Sequence, residues 1–132
     1  MISRRLLLYV KNYPLSLLLT MVVWWGSLAP LPPDTLPQFR WSDKVVHLLM
    51  YAVLCGCIRI EYYRVHREAP LNATQRHRLL AFALIAPILM GGLIELAQAY
   101  LTTGRSGDWA DFAANTLGCF LAAAVAKAFA KH

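Results

Sequence analysis

Acidic, imidazole and amide side chains recur at helical spacing within otherwise apolar segments. Asp43, His47 and Tyr51 follow one another at intervals of four residues, and Gln98 follows Glu95 by three, so on helices each set shares one face. A carboxylate and an imidazole on neighbouring helices could bind and transfer a proton. The chemistry of these residues therefore suggests an acid/base pair, Glu95 with His47, as the candidate catalytic residues.

A short turn connects the segment of Glu95 to a second polar face. Residues 104–107 form the turn, and Asp108, Asp111 and Asn115 follow at spacings of three and four. Two helices joined by so tight a turn lie antiparallel and adjacent, so their polar faces meet. Arg105 lies at the turn, and its guanidinium suits a phosphate or carboxylate. The candidate ligand-binding residues are Asp43, Lys44, Tyr51, Gln98, Arg105, Asp111 and Asn115.

The sequence carries no recognised metal or cofactor motif. Glu95, Asp108 and Asp111 could offer oxygen ligands to a divalent cation, but their spacing matches no known metal site. The three cysteines lie in apolar runs with neither zinc nor redox spacing, and we interpret them as small apolar residues at lipid or helix contacts. We therefore expect no metal and no cofactor.

The composition indicates a membrane protein. Of the 132 residues, 58% are hydrophobic and 15% charged, whereas a soluble domain has about 25% charged residues. The mean hydropathy is +0.47. The length fits one domain, residues 1–132. The net charge of +6 lies between apolar runs rather than on a soluble face, so we expect no nucleic-acid partner.

Four apolar segments predict an all-α fold, a four-helix transmembrane bundle. The predicted helices are about 14–29, 43–60, 79–101 and 108–130. The first is short, and residues 6–10 could lengthen it. Its basic and apolar parts also resemble a signal peptide, but Trp24 and Trp25 fit an interfacial belt and favour a retained helix. Pro87 predicts a kink in the third helix.

Basic residues predict the orientation of the bundle. Of the 13 lysines and arginines, only Arg40, Lys44 and Arg105 lie at the end with the two short loops. The others lie near the termini, at Arg59 and in the hydrophilic stretch of residues 61–78 that separates two helical pairs. By the positive-inside rule both termini are cytoplasmic. Helical rise brings His47, Glu95 and Asn115 to a similar depth, so we expect one polar cavity that opens outward.

Two other readings of these residues stay open. The polar set could be a buried hydrogen-bonded knot that only holds the helices in register. Small residues also recur at intervals of four in the fourth helix and allow close approach of another helix, including one from a second copy of the chain. They are Ala114, Gly118, Ala122 and Ala126.

One combination of residues resembles the VanZ-like family of small bacterial membrane proteins, over about residues 30–118. It consists of Asp43, Lys44, His47, Tyr51, Glu95, Gln98, Gly104, Arg105, Asp111, Asn115 and Gly118. The family is named for a protein associated with resistance to the glycopeptide teicoplanin. The resemblance implies a multi-pass protein of the bacterial cytoplasmic (inner) membrane that binds a cell-envelope component, with a link to glycopeptide resistance.

The resemblance leaves the reaction, if any, undecided. The expected partners are membrane lipids and either a lipid-linked envelope precursor or a glycopeptide-related ligand. The alternatives are a membrane enzyme that acts on a lipid-linked envelope precursor and a non-catalytic subunit of a larger membrane complex.

Overall fold

The computed structural model describes residues 3–28, 42–66, 70–101 and 109–130, and within these ranges the regular structure is entirely helical. The all-α class is thereby confirmed. The helices are α1 (Arg4–Asn12), α2 (Pro14–Leu28), α3 (Ser42–Val65), α4 (Ala73–Leu80), α5 (Ala86–Leu101) and α6 (Trp109–Ala130), with a π-helical segment (Ala81–Ile85) between α4 and α5.

Three stretches are long and apolar enough to cross a membrane, and α1 with α2 make a fourth if this bent pair counts as one span. The three are Lys44–Val65, Ala73–Leu101 and Trp109–Phe129.

A sharp bend separates α1 from α2. The two helices meet at 88°, and Tyr13 at the break has a non-helical backbone (φ −126°, ψ 48°). The cause is Pro14, which has no N–H for a helix that continues from α1 and disfavours helical backbone at the residue before it. Pro14 can instead begin α2, where the first turn needs no donor. Residues 6–10 therefore do not extend α2, contrary to expectation.

The hydrophilic stretch between the helical pairs is more helical than predicted. Helix α3 runs to Val65 rather than to about residue 60, and α4 begins at Ala73 rather than at about residue 79. Asn72 and Gln75 form a capping box that starts α4. The Tyr62 hydroxyl donates to the backbone oxygen of Gln75 at 2.8 Å and ties α3 to α4. The capping box and the contact between α3 and α4 stabilise the helical conformation of this polar stretch.

The irregularity expected near Pro87 is a π-helical segment just before it. The N–H of Ala86 donates to the carbonyl of Ala81, five residues earlier. Pro87 has no N–H and its ring crowds the preceding turn, so a wider turn relieves both constraints.

The core lies where α3, α5 and α6 meet. Glycine is required at 118 because a Cβ there would overlap the carbonyl oxygen of Leu48 and lie 3.1 Å from the nitrogen of Ala52. The small-residue face of α6 thus brings its backbone against α3 of the same chain. Buried apolar side chains continue this contact, and they include Val23, Tyr51, Cys55, Ile94 and Cys119.

The outer surface of the helices is apolar. Large side chains such as Met21, Leu89 and Leu117 are exposed, at 68%, 63% and 60%. A continuous apolar surface of this extent suits contact with lipid rather than with water.

Candidate functional site

Three ionisable side chains from three helices converge in the core. His47 projects from the start of α3, Glu95 from the last turns of α5 and Asp111 from the start of α6. One ligating atom from each lies within 4.8 Å of the others, and all three side chains are buried. The sequence analysis placed these three residues among the candidate site residues, and the structure brings them together.

Lys44 holds Asp111 in an ion pair across the α3–α6 interface. Its Nζ donates to Asp111 Oδ1 at 2.5 Å, and the lysine is only half-buried while the aspartate is nearly covered. The ammonium group offsets the repulsion between the carboxylates of Asp111 and Glu95, which in a low-dielectric environment would otherwise be large.

Asn115 fixes the orientation of the His47 ring. Its Oδ1 lies 2.9 Å from His47 Nδ1, and His47 Nε2 lies 3.7 Å from Asp111 Oδ2. Because an amide oxygen can only accept, Nδ1 carries the hydrogen of this bond. The second nitrogen, Nε2, therefore faces the Asp111 carboxylate.

Two buried polar atoms beside the cluster have no hydrogen-bond partner among the described residues. They are the Tyr51 hydroxyl and Asn115 Nδ2. Gly91 lets α5 approach both residues, because a Cβ there would lie 3.3 Å from Asn115 Nδ2 and 3.5 Å from Tyr51 Cε1. Sequence reasoning did not assign Gly91 to the site. Its signal was a Gly-Gly pair in an apolar helix, which is also typical of a kink.

The remaining predicted residues are placed differently. Gln98 is buried, but its Nε2 donates at 2.7 Å to the backbone oxygen of Ser27, near the end of α2. Asp43 belongs to α3, but its side chain is not among those that the structure describes. Arg105 and Asp108 lie outside the described residues.

Glu61 is a buried carboxylate that sequence reasoning missed. It accepts hydrogen bonds from the backbone nitrogen and hydroxyl of Ser16 at 2.6 and 2.7 Å, and from the nitrogen of Leu15 at 3.4 Å. It therefore caps the start of α2 from another helix. Steps of three and four residues along α3 lead from His47 through Tyr51 to Glu61, so all three lie on one side of the helix. This shared side is the feature of the sequence that could have identified Glu61.

Side chains from other helices thus form hydrogen bonds with backbone groups at both ends of α2. This helix has 15 residues, about 22 Å in length, against a hydrocarbon core of about 30 Å. Unpaired backbone groups are costly away from water, so a short helix in a membrane needs partners at its ends. Glu61 supplies them at the start and Gln98 near the end.

The cluster contains a set of atoms that could hold a metal, although none was expected. His47, Glu95 and Asp111 offer one nitrogen and two oxygens, and separations of up to 4.8 Å would have to close to about 3.4 Å around zinc. The ammonium of Lys44 on Asp111 opposes a second cation at that carboxylate.

A comparison with family models matches residues 12–130, from the end of α1 through α6, to the VanZ/LLP1 family. No curated protein and no solved structure matches the chain. The matched range contains the whole polar cluster and confirms the resemblance given by its residues. With nearly its whole length matched, the chain is a member of the VanZ/LLP1 family.

Proposed function

We propose that this membrane protein binds the polar part of a bacterial cell-envelope component at the cluster of His47, Glu95 and Asp111. The supporting observation is the convergence of these side chains from three helices at one buried position in an apolar chain. Ionisable groups inside a membrane are costly and usually mark a ligand site or a proton path.

In this proposal α2 makes a short first span and α1, at 88° to it, lies along the membrane surface, so the chain is a four-helix bundle of the bacterial cytoplasmic membrane with both termini in the cytoplasm. The positive-inside rule supports it, because α1 and α4 carry arginines at the end opposite to the cluster. The cluster then opens outward.

A single cysteine introduced at Asn72 or at Leu101, with the native cysteines replaced, tests the orientation. A membrane-impermeant maleimide should label position 101 in intact cells and position 72 only after lysis, and the reverse pattern would refute it.

The chemistry of the cluster suggests a division of roles. Arg105 and Lys44 bind an anionic group of the ligand, since guanidinium and ammonium groups suit phosphate and carboxylate. Glu95 and His47 bind or transfer a proton, with the ring held by Asn115.

Two matched substitutions test this proposal. Glu95→Gln and Glu61→Gln each remove one buried carboxylate with little change of shape, but only Glu95 belongs to the cluster. The readout is the teicoplanin susceptibility of a bacterial host that expresses the protein. Immunoblots of the membrane fraction measure how much of each variant is present in the membrane.

We expect the wild type to lower susceptibility, Glu95→Gln to abolish that effect at normal protein amount, and Glu61→Gln to keep it in proportion to its amount. A Glu95→Gln protein that accumulates and keeps full activity would contradict the proposal. Loss of the Glu95→Gln protein from the membrane would favour a purely structural knot.

A second candidate function is an enzyme acting on a lipid-linked envelope precursor. The orientation of His47 Nε2 toward a carboxylate favours it, because a general acid/base needs such a defined geometry. Purified protein in detergent should then convert a lipid-linked phosphate, and His47→Gln should remove the activity. Absence of turnover by well-folded wild-type protein would leave binding as the better account.

An assembly role through the small-residue face of α6 remains a further proposal. Ala114 and Gly118 are buried within the chain, so a partner helix would have to use the half-buried Ala122 and Ala126. Ala126→Leu should then disrupt a complex isolated from membranes, whereas Arg105→Ala should not.

A further inference from the structure

Two adjoining cavities lie at the end of the bundle opposite to the polar cluster. The apolar groove has a volume of about 320 Å³, and its lining includes Leu17, Leu54, Ile58, Ala86 and Met90. The basic cavity has a volume of about 680 Å³, and its lining includes Arg5, Asn12, His66 and Arg78. Tyr9, Tyr13 and Phe82 line both, so the two form one continuous space.

The basic cavity has the charge of an anion site. No carboxylate is among its lining residues, and neither Arg5 nor Arg78 has an ion-pair partner among the described residues. Arg64, by contrast, already donates to the backbone oxygen of Asn12 and pairs with Glu61. Two guanidinium groups facing one cavity suit a phosphate, which they can bind in a bidentate manner.

His66 adds a third nitrogen group to the same cavity. Its ring stacks on Tyr62 with centroids 4.2 Å apart, and its Nδ1 lies 2.9 Å from the Tyr62 carbonyl oxygen. Because a carbonyl only accepts, Nδ1 carries a hydrogen, and Nε2 remains for a ligand. The ring is thereby held in place before any ligand binds.

The apolar groove supplies the second half of a lipid site. Helix α1 meets α2 at 88°, so where α2 crosses the membrane α1 lies along its surface, and the arginine and tyrosine side chains of α1 reach headgroup depth. The groove runs on from that level between α2, α3 and the α4–α5 stretch, among apolar side chains. In a membrane such a groove is filled by an acyl chain rather than by water.

We propose that this space binds one anionic glycerophospholipid, with its phosphate between Arg5 and Arg78 and one acyl chain in the apolar groove. The charge of the cavity selects an anionic headgroup over a zwitterionic one, and its continuity with the groove selects a lipid over a soluble phosphate. The site is independent of the polar cluster at the other end of the bundle.

The chain offers closely matched controls for the two arginines. Arg5→Gln with Arg78→Gln removes two positive charges from α1 and α4, and Arg4→Gln with Arg76→Gln removes the same number from the same helices. Neither Arg4 nor Arg76 lines the cavity. General attraction of the basic end to an anionic membrane would make the two pairs equivalent.

Native mass spectrometry of detergent-solubilised protein, equilibrated with phosphatidylglycerol and phosphatidylcholine of identical chains, measures the retained lipid. We expect one retained phosphatidylglycerol, with a preference of about tenfold or more that the Arg5/Arg78 pair removes and the Arg4/Arg76 pair keeps. Equal retention of both lipids by the wild type, or equal loss in both pairs, would overturn the proposal.

A second arm tests the groove without a change of charge. Ala86→Phe, which fills the groove, should lower phosphatidylglycerol retention at unchanged melting temperature, whereas Ala99→Phe on the exposed face of α5 should not. Millimolar inorganic phosphate should fail to displace the lipid. Full displacement by phosphate alone, or retention unaffected by Ala86→Phe, would show that the acyl chain is not part of the site.

Discussion

Gly118→Ala should destabilise the protein because it adds one methyl group at the closest backbone contact between α3 and α6. The new Cβ would overlap the carbonyl oxygen of Leu48 and lie 3.1 Å from its carbonyl carbon and from the nitrogen of Ala52. All three are backbone atoms of a helix, so no side chain can move aside, and the helices must separate by roughly 1 Å to restore a normal carbon–oxygen contact.

The magnitude follows from three contributions. Overpacking of this kind costs about 1–3 kcal/mol. Separation of α3 from α6 also weakens the Lys44–Asp111 and His47–Asn115 hydrogen bonds, which cross the same interface and contribute about 1 kcal/mol each. The higher helix propensity of alanine, compared with glycine, adds about 1 kcal/mol to the stability. If both hydrogen bonds are lost, the net loss in the free energy of unfolding should be about 2–4 kcal/mol.

The matched control is Gly56→Ala, also in a long apolar helix. A Cβ at Gly56 meets nothing within 4 Å, so only the gain in helix propensity remains, up to about 1 kcal/mol of added stability. Unfolding titrations with sodium dodecyl sulfate in mixed micelles measure both variants against the wild type. A Gly118→Ala protein as stable as Gly56→Ala would show that α6 does not lie against the backbone of Leu48 and Ala52.

Three further tests, with four substitutions in all, address individual contacts by the same unfolding titration. Glu61→Gln should lower the free energy of unfolding by about 1–2 kcal/mol, because an uncharged amide is a weaker acceptor for the Ser16 donors that begin α2; an unchanged value would mean that this cap adds nothing. Tyr51→Phe should leave stability unchanged or raise it by about 1 kcal/mol, since the buried hydroxyl has no partner among the described residues, and a large loss would reveal one. Lys44→Met and Asp111→Leu should each destabilise the protein, and together less than the sum, with a coupling of about 1–3 kcal/mol; strict additivity would exclude a functioning ion pair.

Local periodicity, helical rise and one tight turn together predicted the polar cluster. Spacing put each polar set on one face of its helix, because a helix projects every third or fourth residue to the same side, and helical rise put His47 and Glu95 at a similar depth. The same regularity predicted that the small residues of α6 would meet another helix, and Gly118 meets α3. The apolar composition predicted helices able to cross a membrane, because a backbone in lipid must satisfy its own hydrogen bonds.

Contacts between distant parts of the chain were not predictable in this way. The role of Glu61 depends on α2, which lies 45 residues earlier in the chain, and Lys44 finds Asp111 67 residues away. The length of α3 beyond residue 60 depends in part on Tyr62 reaching Gln75. Each of these contacts joins residues from different helices, whose relative position no local pattern specifies.

The amino-acid sequence by itself determined the apolar helical segments and the faces on which their polar residues lie, since these follow from backbone geometry and side-chain type. The tertiary structure alone decided which faces meet: the partner of each buried charge, the 88° turn of α1 and the cavities it encloses. The reason is that helix packing depends on the summed fit of many weak contacts between segments far apart in the chain, and a period of three or four residues carries no information about them.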